Sequence, residues 1–265
     1  MNLHWRPLVA ALALQLALPA QAFDHDYRDF GTLLAQHVRM SPDKTRSEVD
    51  YAALKQDRAA LKAVLDEWSS VSEQAFSAWT RDQQMAFLIN AYNGFTLELI
   101  LTRYPNLKSI RDLGSLFRSA WKIEFFTLLG QKRHLDWVEH EKLRPEYPDP
   151  RIHFAVNCAS IGCPALQDQA FVAEMLDTQL TQVTRQFLRD RERNRFDAKA
   201  GTLMVTPLLR WYAEDFAAGR GKDVTGWLAT QAEWLTDSAA ERERIAQGDF
   251  RIRYTDYDWG LNDVQ

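Results

Sequence analysis

The feature that most constrains this chain is the stretch from Thr80 to Tyr104. Wound as a helix, Met85, Phe87, Leu88, Ile89, Tyr92, Phe95, Leu97, Leu99, Ile100 and Leu101 leave it almost no polar face. A helix that is apolar all round must lie inside the protein. Thr80 with Gln83 supplies a capping box at its start, and Pro105 ends it. The rest of the chain therefore has to wrap this helix. Asn90 and Asn93 share one of its faces. A buried amide without partners costs about 1–3 kcal/mol, so each must either brace neighbouring backbone or serve a site.

The flanking patterns supply the wrapping. Phe30 to Val38 and Tyr51 to Leu65 have helical periodicity, the second with Leu54, Leu61 and Leu65 on one face. Phe125 to Leu129, a turn at Gly130, and Arg133 to Leu135 predict a short hairpin. Asp136 is the expected cap of a helix through Trp137, Val138, Glu139, His140 and Leu143, stopped by Pro145. Arg151 to Cys158 reads as a buried strand, with His153 and Asn157 on one face and Phe154, Val156 and Cys158 on the other. Ala159 to Gly162 turns the chain, and Cys163-Pro164 fits a helix entrance. Phe171, Met175, Leu180, Val183 and Phe187 step along a long amphipathic helix. Beyond it come a hairpin around Ala198 to Gly201, helices over Leu208 to Phe216 and Val224 to Leu235, and a closing strand over Arg251 to Tyr257. The pattern predicts an α+β fold: a mostly helical single domain with several short, largely antiparallel strands.

The first 22 residues have a different character. His4, Trp5 and Arg6 form a short positive leader, Leu8 to Leu18 is apolar, and Ala20-Gln21-Ala22 offers small residues for cleavage. This is the pattern of a secretory signal peptide over residues 1–22, leaving a domain over residues 23–265. The apolar run falls short of the roughly 20 residues of a bilayer span, and no later stretch reaches that length. The mature chain is thus expected to lack a transmembrane segment and to work in the periplasm or as a secreted protein. A net charge of −4 with no basic tract speaks against nucleic acid as a partner. The arginines between Arg185 and Arg195 are interleaved with Asp190 and Glu192, as on a solvated helix face.

The chain has two cysteines, Cys158 and Cys163. In an oxidising compartment the plain expectation is a local disulfide, which the small-residue turn between them permits. A thiol at the end of a buried strand, before a helix start, is also where a nucleophile would be activated. His140 and His153 are the possible bases, and Glu139, Asn90, Asn93 and Asn157 the possible orienters of an imidazole. There is no phosphate-cradling glycine loop, Gly-x-Ser-x-Gly elbow or His-Glu-x-x-His helix. No ligand spacing argues for a metal at Glu139, His140 and His153, so neither metal nor cofactor is expected. Tyr254, Tyr257 and Trp259 read as core rather than as a ligand platform.

Several ordered motifs carry a resemblance. Phe87-Leu88-Ile89-Asn90-Ala91-Tyr92-Asn93, Leu135-Asp136-Trp137-Val138-Glu139-His140 and His153-Phe154-Ala155-Val156-Asn157-Cys158-Ala159-Ser160 with Cys163-Pro164 resemble the family known as domain of unknown function 547. Arg210-Trp211-Tyr212 with Asp215-Phe216, and Tyr257-Asp258-Trp259 with Leu261-Asn262, look like its later blocks. With the short leader, which has a bacterial look, the chain reads as an exported bacterial member. The resemblance implies that cysteine at the Cys158 position is the more general of the two, which favours Cys158 as nucleophile. By analogy of chemistry, a papain-like or transglutaminase-like arrangement would suit such a site.

The resulting expectation is an exported thiol-dependent hydrolase or acyltransferase acting on an amide or ester bond. Its substrate would be a small molecule, a peptide or cell-envelope material. The alternative is a non-catalytic periplasmic binding or interaction module whose cysteines form a local disulfide. A third reading, a redox protein cycling Cys158 and Cys163, is weakened by a gap longer than that of Cys-x-x-Cys proteins.

Overall fold

The computed structural model describes residues 23–115, 117–218 and 223–264. The signal peptide expected over residues 1–22 lies outside them. The amino-terminal part is helical, with α1 (Arg28–His37), α2 (Tyr51–Gln56), α3 (Arg58–Ser69) and α4 (Glu73–Ser77), and a small hairpin of β1 (Val38–Met40) and β2 (Ser47–Val49) between α1 and α2. The pattern read as one helix from Tyr51 to Leu65 is broken at Asp57, which serves as the C-cap of α2 and N-cap of α3.

Helix α5 (Arg81–Leu101) starts at the expected capping box, with Thr80 and Gln83 bonded reciprocally, and every residue from Met85 to Leu101 is buried. Helix α3 crosses it closely. A Cβ built on Gly94 would meet Trp68 at 2.9 Å and Leu65 at 3.0 Å, so only glycine fits there without a shift. Trp68 in turn packs edge-on against Phe30. On another side Phe95 stacks on Phe126 of the hairpin β3 (Phe126–Leu128) and β4 (Gln131–Arg133). That hairpin turns through Leu129 and Gly130, both with positive φ, the backbone that suits a two-residue connection.

The segment after β4 departs from expectation. Trp137–Leu143 winds as a π-helix and runs straight into α6 (Arg144–Glu146), so Pro145 sits inside a helical turn instead of stopping one. Asp136 does not cap it. Its backbone is already helical, and the Nδ1 atom of His134 accepts the Trp137 N–H at 3.0 Å instead. The strand expected over Arg151 to Cys158 does not form. Pro150–Phe154 is a 3₁₀ helix, capped by Asp149, which accepts the Arg151 N–H at 2.9 Å. Residues 155–172 contain no helix or strand, so Cys163-Pro164 does not open a helix. The Pro164 carbonyl, which would serve such a helix, is taken by the Asn157 amide at 2.7 Å. The amphipathic helix read from Phe171 begins later, as α7 (Leu176–Leu188), after a 3₁₀ turn at Ala173–Met175.

Strands β5 (Arg195–Asp197) and β6 (Thr202–Val205) form the expected hairpin. Helices α8 (Leu208–Trp211), α9 (Ala213–Ala217), α10 (Val224–Thr230), α11 (Ala232–Leu235) and α12 (Ala239–Ala246) then lead to β7 (Arg251–Tyr254). β7 pairs in parallel with β6, whereas the other paired strands among the described residues run antiparallel. The α+β class holds, and one set of buried apolar side chains runs from Tyr27 to Ile245. No helix among the described residues is long and apolar enough to cross a membrane.

The last residues stitch the parts together. Val49 donates to the Asn262 carbonyl at 2.8 Å, and Asn262 to the Ala159 carbonyl at 3.2 Å. The carboxyl-terminal segment is therefore clamped between the β1–β2 hairpin and the loop that holds both cysteines.

Candidate functional site

Helix α5 positions the cysteine loop through its asparagines. The Asn93 amide donates to the Ala155 carbonyl at 3.0 Å, and its oxygen accepts the Asn157 N–H at 2.8 Å. Asn157 continues the chain. Its oxygen accepts the Ala159 N–H at 2.8 Å while its amide holds Pro164. Asn90 does the same work elsewhere, exchanging two hydrogen bonds with the backbone of Phe171 at 2.7 and 3.0 Å. All three amides thus brace backbone, and two of them pin both ends of the segment from Cys158 to Cys163.

Within that segment Cys158 and Cys163 are joined in a disulfide, with Cα atoms 6.3 Å apart. Ala159 takes a left-handed backbone, φ 61°, uncommon for a residue with a Cβ. Cys158 is half-buried and Cys163 buried. The Tyr257 hydroxyl lies 3.3 Å from the Cys158 Sγ and 3.1 Å from the Cys163 Sγ. Arg193, paired with buried Asp190 at 3.2 Å, donates to the carbonyls of Cys163 and Ile161 at 2.8 and 2.6 Å.

A second cluster surrounds the π-helix, a winding often found at functional sites. Buried His153 directs Nε2 at the Asp215 carboxylate, 2.6 Å away, and stacks on Tyr212 with ring centroids 3.8 Å apart. Arg144 grips the same carboxylate through Nε and Nη2 at 2.6 and 3.1 Å, and its remaining nitrogen, Nη1, lies 2.8 Å from His140 Nδ1. Burial would raise the Asp215 pKa, but His153 and Arg144 more than offset it and hold this carboxyl well below the usual range. The His153 Nδ1 atom has no hydrogen-bond partner, and the nearest Glu139 oxygen stands 3.9 Å away.

Glu139 is buried and links the two clusters electrostatically. Burial pushes the phenols of Tyr92, Tyr212 and Tyr257 upward, and the Glu139 charge raises each further. Around Tyr257 lies an aromatic group in which Trp211 and Trp259 stack at 5.7 Å and Trp211 is exposed.

The expected residues therefore fall into two sets. Asn93, Asn157 and Cys158 form one connected chain, and Glu139, His140 and His153 gather around Asp215. Neither histidine hydrogen-bonds to a sulfur; that place belongs to Tyr257. Sequence reasoning assigned no site role to Tyr212, Asp215, Arg144 or Arg193, and it read Tyr257 as core. Tyr212 and Asp215 stand three apart within one of the late motif blocks, a spacing that marks a shared helical face and was the available signal. No group of three or more His, Cys, Asp or Glu side chains among the described residues is arranged to hold a metal ion.

Residues 76–188 match the family described as "Protein of unknown function, DUF547". The matched stretch includes Asn90, Asn93, Glu139, His140, His153, Asn157 and both cysteines, and stops short of Tyr212, Asp215 and Tyr257. No curated protein and no solved structure matches the chain.

Proposed function

We propose, from the premise that residues 76–188 match the DUF547 family, that the chain is an exported, thiol-dependent hydrolase or acyltransferase acting on an amide or ester bond. The observation that carries the proposal is half-buried Cys158, its sulfur 3.3 Å from the Tyr257 hydroxyl, on a loop fixed by Asn157. In the reduced chain Cys158 is the nucleophile, and reactivity belongs to its thiolate. Attack on the substrate carbonyl breaks its amide or ester bond, the amine or alcohol leaves with a proton from the base, and water or an acceptor then takes the acyl group from Cys158. His153 is the better base of the two histidines. Asp215 orients its Nε2 side, as a carboxylate orients the base of a triad, and its Nδ1 is uncommitted. His140 Nδ1 already faces the Arg144 guanidinium. The address is the periplasm or the exterior, which rests on the signal-like leader. The substrate class is a small molecule, a peptide or envelope material.

A second reading has a specific observation behind it. The two cysteines are joined and Asn90, Asn93 and Asn157 all brace backbone, as in a binding module with a stiffened loop. Acylation separates the two. With an activated aryl ester, mass spectrometry should find an acyl group on Cys158 in reduced wild type and in Cys163→Ala, and a lower yield in His153→Gln. Acylation no greater than in Cys158→Ala would end the enzyme reading and leave the module.

A further inference from the structure

The two sulfurs of the disulfide sit in different surroundings. Cys158 is half-buried, whereas Cys163 is only 5% exposed. The Cys158 backbone N–H points at the Cys163 Sγ, 3.0 Å away, and the Tyr257 O–H donates to the same sulfur at 3.1 Å. Only one of these donors, the Tyr257 hydroxyl, also reaches the Cys158 Sγ. A neutral disulfide sulfur is a weak acceptor and gains little from two donors. A thiolate gains much more, because donors aimed at the charged form favour it.

The loop is also held without its disulfide. Asn157 fixes Ala159 and Pro164, Arg193 holds the carbonyls of Ile161 and Cys163, and Ile161 and Gly162 donate to Gly260 and Asp258 at 2.8 Å each. A segment tied at so many points keeps its shape whether or not the sulfurs are joined. That is the requirement for a pair that cycles.

We propose that Cys158–Cys163 is a thiol–disulfide exchange site whose co-reactant is a dithiol. One thiolate of the co-reactant attacks Cys158 Sγ. A mixed disulfide forms there, the Cys158–Cys163 bond breaks, and its electron pair leaves on Cys163 as a thiolate. The second thiol of the co-reactant, as its thiolate, then attacks its own sulfur in the mixed disulfide. The bond to Cys158 breaks, its electron pair leaves on the Cys158 sulfur, and the co-reactant departs as a disulfide. Two electrons have passed to the protein. The reverse sequence oxidises a dithiol at the protein's expense. Exchange is faster where the attacked sulfur is accessible and the leaving thiolate is stabilised, and here those properties fall on Cys158 and Cys163 respectively. Burial of Cys163 opposes its thiolate, and the two donors offset that opposition. The proposal does not depend on acyl transfer, since exchange consumes a thiol and not a carbonyl.

The test uses the oxidised full chain and reduced glutathione, a monothiol that arrests the first step, with rapid acid quenching and peptide mapping by mass spectrometry. The mixed disulfide should be on Cys158, and its rate of formation should be proportional to glutathione concentration in the folded protein. Tyr257→Phe should slow it about three- to tenfold, the effect of removing one donor from the leaving thiolate. Glutathione found on Cys163, or equally on both, would overturn the assignment of roles. So would an unaltered rate in a folded Tyr257→Phe protein, or exchange that proceeds only in denaturant. If that variant does not fold, the wild-type map decides alone. No ester is present, so acylation at Cys158 can fail while exchange stands, and the reverse.

Discussion

Replacing Asn93 with leucine should both destabilise the protein and loosen the cysteine loop. Asn93 is 3% exposed and is the hydrogen-bond partner of two backbone groups, the Ala155 carbonyl and the Asn157 N–H. A buried group left without a partner costs about 1–3 kcal/mol, and two are stranded here. Leucine recovers part of this by apolar burial, so we expect a net loss of about 2–4 kcal/mol. Urea unfolding under oxidising conditions measures it as a lower midpoint at unchanged slope. The control is Asn90→Leu, which strands the two backbone groups of Phe171 at a distance from the cysteines in sequence. Both variants should lose similar stability. Only Asn93→Leu should speed amide hydrogen exchange at Asn157 and Ala159, because only Asn93 holds Asn157. An unchanged midpoint in Asn93→Leu, or equal loop protection in the two variants, would refute this account of how the loop is held.

Two further outcomes follow from the packing and the charges. Gly94→Ala should cost about 1–3 kcal/mol by overpacking, since its Cβ would press on Trp68 and Leu65; a parent-like melting curve would show that α3 and α5 separate freely. The Asp215 carboxyl, held below its usual range in the folded chain, contributes stability that is present above its unfolded value of about 3.9 and is lost as pH falls further. Asp215→Asn should therefore flatten the fall in stability below about pH 4; an identical acid limb in the two proteins would contradict it.

The buried helix was legible because its evidence is local: a capping box, an uninterrupted apolar run and a proline just beyond. The hairpin at Gly130 was legible for the same reason. Asn90 and Asn93 were recognisable as buried amides, but their partners, 62 to 81 residues away in sequence, were not. The misread stretch is Arg151 to Pro164. Its apolar, β-branched composition suits a strand, yet its backbone groups are claimed by distant side chains and by its own Asn157. Tertiary hydrogen bonds overrode local preference there. The Asp215 cluster was hidden for a related reason. Arg144 and His153 reach Asp215 across 71 and 62 residues of chain, and no spacing in the sequence announces such a meeting.

The central claim is that Cys158, once free, is an activated thiol, and its alkylation profile tests this most directly. In the reduced chain the two thiols share the Tyr257 hydroxyl, so Cys163→Ala isolates Cys158. The rate of iodoacetamide labelling of that variant is measured from about pH 5 to 10, spanning the free-thiol value of about 8.5. The account predicts a midpoint well below that value, with rapid labelling at about pH 6 and a shift back toward about 8.5 in the His153→Gln background. A midpoint at the free-thiol value, unaffected by His153, would contradict it.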